Sequence, residues 1–127
     1  MRIYSWNGTS WEQKGLDIDG EAAGGNSGHS VSLSADGNTV AISAPYNDGT
    51  TGNTSDNRSH VRIYSWNGTS WEQKGLDIDG EGGSSMGDQS GWSVSLSADG
   101  NTVAIGAPFH DGSNIGDSGT GMWIFLR

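Results

Sequence analysis

The chain has 127 residues, enough for one ordinary domain, and a formal net charge of −9. Apolar residues make up only 31% while glycine reaches 22 residues; with six Trp set in short alternating runs this reads as an ordered, turn-rich β protein. The acidity argues against nucleic acid, which needs a basic stripe. The absence of cysteine removes disulfides, thiol nucleophiles and zinc-finger spacing. No stretch approaches the roughly 20 apolar residues of a membrane span. Met1 leads directly into Arg2-Ile3-Tyr4, so a secretory leader is expected elsewhere if the parent protein is exported.

The first predicted strand, Arg2 to Trp6, ends at Asn7-Gly8, a turn signal because glycine accepts positive φ. The second runs from Ser10 to Leu16 and is followed by Asp17-Ile18-Asp19-Gly20-Glu21. A third, Ser30 to Ser34, and a fourth, Thr39 to Ala44, flank Asp36-Gly37-Asn38. A loop of 15 residues, Pro45 to Ser59, follows and is rich in Gly, Asn, Asp and Ser. The pattern then starts again. Residues 2–21 recur unchanged at 62–81, giving strands Val61 to Trp66 and Ser70 to Leu76. Residues 30–42 recur unchanged at 93–105, giving strands Ser93 to Ser97 and Thr102 to Ala107. A last strand, Met122 to Leu126, aligns Gly121-Met-Trp-Ile-Phe-Leu with Val61-Arg-Ile-Tyr-Ser-Trp. No segment has helical periodicity.

A period near 60 residues marks a propeller or an array. Naming the four strands of a complete repeat a, b, c and d, the chain reads c–d, a–b–c–d, a–b–c. The predicted organisation is an N-terminal c–d hairpin at 1–27 that completes a split blade, a complete blade of strands a–d at 28–81, and a partial blade at 82–127 made of strands a–b and a terminal c-like strand that competes with Arg2 to Trp6 for the same slot. Near-identity of the copies points to recent duplication or deliberate construction.

Gly91-Trp92-Ser93-Val94 followed by Gly106-Ala107-Pro108 resembles the FG-GAP repeat of integrin-α-like β-propellers; Gly28-His29-Ser30-Val31 with Ser43-Ala44-Pro45 is a weaker copy. The resemblance implies an all-β fold of four-stranded antiparallel blades, about two per chain. It also implies an extracellular or cell-surface setting and a role in adhesion or ligand binding, not catalysis. The calcium loop of integrin blades lies between strands a and b. Here that connection is Ala-Asp-Gly-Asn, too short to wrap an ion with six or more oxygens.

Acidic residues offer other sites. Asp48 and Asp111 follow the Ala-Pro pair at the same place, and Asp56 and Asp117 recur near the loop's end. Such residues cap turns through their own backbone; on a glycine-containing loop they also suit a hard cation, so calcium is the cofactor these four residues would hold. Asp17-Ile18-Asp19 and Asp77-Ile78-Asp79 begin like a calcium loop but lack the later ligands, and read as acidic outer strand ends that discourage edge pairing. Trp6, Trp11, Trp66 and Trp71 fall in a repeated hairpin where cross-strand aromatic pairs stabilise a sheet; the alternative is a sugar-binding platform. His29, His60 and His110 hold no equivalent position, which argues against a catalytic or metal role for histidine. No serine sits in a nucleophile elbow. Paired carboxylates for glycoside hydrolysis are decided by separation in space, so a glycosidase or lectin fragment stays an alternative to the binding module.

Propellers commonly need four to eight blades. Two blades alone leave two bare faces. At roughly 500 Å² of apolar area each, the cost is on the order of 12 kcal/mol per face, comparable with a domain's whole stability. The expectation is therefore a homo-oligomer of three or four chains, with a protein or glycan ligand as a further partner. The alternative is a self-assembling scaffold, evolved or engineered, with no ligand of its own.

Overall fold

The computed structural model describes residues 1–20, 26–45, 59–80 and 90–107 and the strand at 121–126. The described residues form ten strands and no helix. In chain order these are β1 (Tyr4–Trp6), β2 (Trp11–Gln13), β3 (Val31–Leu33), β4 (Thr39–Ala44), β5 (His60–Trp66), β6 (Trp71–Gln73), β7 (Ile78–Asp79), β8 (Ser93–Leu96), β9 (Thr102–Ala107) and β10 (Gly121–Leu126). All pairings are antiparallel. β1 and β2 form one sheet, β3-β4-β5-β6 a second in which β7 also pairs with β5, and β8-β9-β10 a third.

The hairpin turns owe their shape to short polar side chains. Trp6 pairs with Trp11, leaving Asn7 to Ser10 as a four-residue loop. Asn7 Oδ1 accepts from the backbone N–H groups of Thr9 and Ser10 at 2.9 and 2.8 Å, while Gly8 takes φ 104°. Asn67 does the same for the next copy. Between β3 and β4, Asp36 Oδ1 accepts from Ser34 Oγ at 2.7 Å and from the N–H of Asn38 at 2.9 Å. Asp99 repeats this between β8 and β9. These side chains satisfy backbone donors that a tight turn would otherwise leave unpaired.

The fourth strand of the repeat departs from the expected run of Ser70 to Leu76. β6 stops at Gln73 and pairing resumes at Ile78 opposite Val61. Between those points β5 offers only Arg62 and Ile63, whereas the outer chain has four residues, 74–77. The N–H of Lys74 still reaches the Ile63 carbonyl at 2.6 Å. Gly75 then turns at φ 77° and the surplus bulges outward, leaving Leu76 exposed. Lys14, Gly15 and Leu16 repeat the bulge at the N-terminal hairpin.

The last strand also differs in register. Gly121 lies opposite Ala107 and Leu126 opposite Thr102; in the second sheet those places belong to His60 and Ser65. The sequence alignment was thus one residue off. A one-residue slip exchanges the two faces of a strand.

The sheets pack face to face, and β4 is buried along its whole length. Its alternation sends Val40 and Ile42 to one side, against Ile3 and Ile18 of the first sheet, with Tyr64 and Trp71 alongside. Ala41, Val61, Ile63 and Ile78 form the other side, against Val103 and Ile105 of the third sheet. Each buried Val or Ile contributes about 1.5–3 kcal/mol, so the middle sheet is stabilised by neighbours on both faces.

Candidate functional site

The four residues predicted to hold calcium, Asp48, Asp56, Asp111 and Asp117, lie outside the described residues. Asp36 and Asp99 are committed to their turns. The carboxyl of Asp36 is held below its ordinary value, first by the Asn38 N–H and then by the Ser34 hydroxyl. For Asp99 the Ser97 hydroxyl leads and the Asn101 N–H follows.

One His and two Asp residues come together at a place the sequence analysis did not mark as a site. Ligand atoms of His60, Asp77 and Asp79 lie within 4.8 Å of one another. β5 supplies His60, and the bulge turns Asp77 inward toward Arg62, whose Nε and Nη2 donate to Asp77 Oδ1 and Oδ2, both at 2.9 Å. Gln73 Nε2 donates to Asp77 Oδ1 at 2.6 Å, and His60 Nδ1 stands 4.0 Å from Asp77 Oδ2. Arg62 foremost holds the Asp77 carboxyl below its ordinary value, against the opposing effect of burial; Gln73 and His60 add to the lowering. The guanidinium already provides the positive charge a metal ion would bring, so the cluster works as an ion-pair clasp on the bulge. The equivalent Arg2–Asp17 pair in the first copy is exposed, and no histidine stands beside it among the described residues.

A second constellation joins one sheet to the next. Each tryptophan pair is a cross-strand contact, Trp6 with Trp11 at 5.4 Å between ring centres and Trp66 with Trp71 at 5.3 Å. The bulge of the first sheet seats on the second pair. Lys14 Nζ lies 5.4 Å from each of the two ring centres, and Trp71 Nε1 donates to the Lys14 carbonyl at 2.7 Å. A Cβ added to Gly15 would come within 2.7 Å of the Trp66 ring, so the close seating requires glycine there. The same ammonium donates to the Gly37 carbonyl at 3.0 Å and to Asn38 Oδ1 at 2.6 Å. One repeat later, Lys74 Nζ donates to the Gly100 carbonyl at 3.4 Å and to Asn101 Oδ1 at 3.0 Å.

The second and third sheets are joined along their first strands as well. The N–H groups of Val94 and Leu96 donate to Ser30 Oγ and Ser32 Oγ at 3.2 and 3.0 Å. The N–H of Ala35 donates to the Ala98 carbonyl at 3.0 Å, and His29 packs against Trp92 with ring centres 4.8 Å apart and planes tilted by 49°. Gly91 belongs to this joint: at φ 90° it lies where a Cβ would be 2.7 Å from Ser43 Cβ. The sequence reading missed Lys14 and Lys74. Their signal was present, since two of only six basic residues recur at one place in the repeat.

Neither a comparison with models of known protein families nor one with curated proteins finds a match. Among the described residues, no helix is long and apolar enough to cross a membrane.

Proposed function

We propose that the chain is a non-enzymatic β-propeller repeat module that assembles with copies of itself and presents its loops to a protein or glycan ligand outside the cell. The observation that carries this reading is the recurrence of one inter-sheet contact. Lys14 grips the turn at Gly37 and Asn38, and Lys74 grips the turn at Gly100 and Asn101. Equal contacts impose equal steps, and a stack built from equal rotations closes into a ring when the step divides a full turn. Four-stranded blades of the FG-GAP kind, about two per chain, then give six blades from three chains or eight from four.

In this reading Asp48, Asp56, Asp111 and Asp117 of the long b-to-c loops would hold calcium. Treating the protein with a chelator should then lower its melting temperature, and an unchanged temperature excludes a structural ion. The binding role is tested on glycan and extracellular-protein arrays probed with the labelled full chain. Retention by one ligand class, reversed by free ligand, supports the module. Silence on both arrays refutes ligand binding and favours the scaffold reading, in which forming the ring is the whole activity. The identity of residues 2–21 and 62–81 is the observation on that reading's side.

A further inference from the structure

We infer that the third sheet is completed by the N-terminal hairpin of a second copy, with the incoming β1 taking the edge of β9 that β10 holds within one chain. This deepens the assembly reading and rests on it. The template is inside the molecule. β4 carries β5 with Thr39 opposite Ser65 and Val40 opposite Tyr64. Residues 102–105 repeat 39–42, and residues 2–6 repeat 62–66. The same pairing between two chains sets Thr102 opposite Ser5 and Val103 opposite Tyr4. β1 is free to accept it, because among the described residues it pairs with β2 alone.

The faces match as well as the edges. Trp6 and Trp11 are 55% and 66% exposed, while the identical Trp66 and Trp71 receive Lys14 and Gly15. Lys74 already grips the turn at Gly100 and Asn101, yet among the described residues no tryptophan pair lies beside it. A second copy's hairpin brings that pair, and its Trp11 Nε1 reaches the Lys74 carbonyl as Trp71 reaches Lys14. The surface grooves tell the same story. One is walled by Leu16, Asp17, Ile18 and Asp19 on one side and by Tyr64, Ser70 and Trp71 on the other. Its repeat at Gln73, Gly75, Leu76, Asp77 and Asp79 has only the first wall among the described residues. Tyr4, Ser10 and Trp11 of the second copy are the residues that supply the other.

The opposite end of the chain is complementary. Val31 and Leu33 are 50% and 49% exposed, although their counterparts Val94 and Leu96 pack on the neighbouring sheet. Ser93 and Ser95, exposed on the third sheet, stand where Ser30 and Ser32 accept from that neighbour. In the assembly they accept from the second copy's Val31 and Leu33. Gly28 and Gly37 have nothing within 4 Å of an added Cβ, whereas Gly91 and Gly100 lie against Ser43 and Thr39. Each surface left open at one end is the partner of one left open at the other, so the contact is head-to-tail.

The exchange disturbs little. The incoming hairpin keeps Ile3 and Ile18 on its own second sheet, and the receiving β8 and β9 keep theirs. Only β10 must leave. Among the described residues it fills the third position of a three-stranded sheet, whereas the hairpin brings both β1 and β2. β10 therefore acts as a removable cap on an edge that would otherwise invite uncontrolled pairing.

Cysteine pairs test this directly, because the chain has none of its own. Directly opposed residues on antiparallel strands lie about 4.5–5.5 Å apart at Cα, within disulfide reach. The Ser5→Cys/Thr102→Cys full chain should oxidise to covalent multiples, with mass spectrometry finding residues 5 and 102 linked between chains. The control Thr39→Cys/Ser65→Cys should close within one chain. Trp11→Ala, at an exposed position of the single chain, should keep the β circular dichroism spectrum and weaken association by at least about tenfold. A ring that forms without the 5–102 link, or that tolerates Trp11→Ala unchanged, overturns this junction and leaves self-assembly standing. A wild-type chain that stays single defeats both.

Discussion

Gly28 and Gly91 occupy the same place in the two repeats and should respond differently to the same mutation. Both take positive φ, at 91° and 90°, so alanine costs each about 1–2 kcal/mol of backbone strain. Only Gly91 also faces Ser43 Cβ at 2.7 Å, which adds about 1–3 kcal/mol of overpacking. In a dilute, monomeric sample Gly91→Ala should melt well below Gly28→Ala; equal losses would contradict the described seating of the third sheet. Asp77 gives a prediction in pH. Its folded carboxyl titrates below the unfolded value, chiefly through Arg62. The stability it contributes is therefore complete above the unfolded value, roughly pH 4, and is lost as pH falls through the lower, folded one. Asp77→Asn should cost about 1–3 kcal/mol at neutral pH, and its deficit against wild type should shrink in acid. A deficit that stays constant from pH 7 to pH 2 would show that the carboxylate charge contributes nothing. Asp17→Asn should cost less, since the Arg2–Asp17 pair is exposed.

Among the strands, the middle pair of each repeat was the most legible. Thr39 to Ala44 was read to the residue, because a β-branched run bounded by Asp-Gly and Ala-Pro leaves no other reading. The outer strand was legible only in part. Its sequence from Ser70 to Leu76 has no proline and one glycine, and nothing local tells that Gly75 will turn or that Asp77 will be drawn to Arg62, fifteen residues earlier. The register of β10 was misread for a different reason. Met122 to Leu126 is apolar at every position, so it lacks the alternation that fixes which face is which. The His60, Asp77 and Asp79 cluster was hidden because the histidine does not recur in the repeat while the two acids do. The junction between sheets offers a test at this scale. Trp71→Phe removes the bond from Nε1 to the Lys14 carbonyl and should cost about 0.5–1.5 kcal/mol. Trp11→Phe should leave the melting of a dilute monomeric sample unchanged and weaken assembly instead. An equal thermal cost for both would place them in the same environment and remove the distinction between covered and open hairpins.

At the scale of the whole molecule, the described residues form a stack of three sheets, and among them only the middle one has neighbours on both faces. Its first sheet has two strands and its third has three. Both have fewer strands than the second sheet, and in the proposed assembly each supplies the strands the other lacks. That relation is what makes self-association the central claim, and it rests on repeated contacts more than on apolar area. The most direct test is the mass of the full chain in solution, measured by light scattering at micromolar concentration. A single species of three or four times the 13.2 kDa of one chain is expected. A well-folded species of 13.2 kDa at that concentration would contradict it.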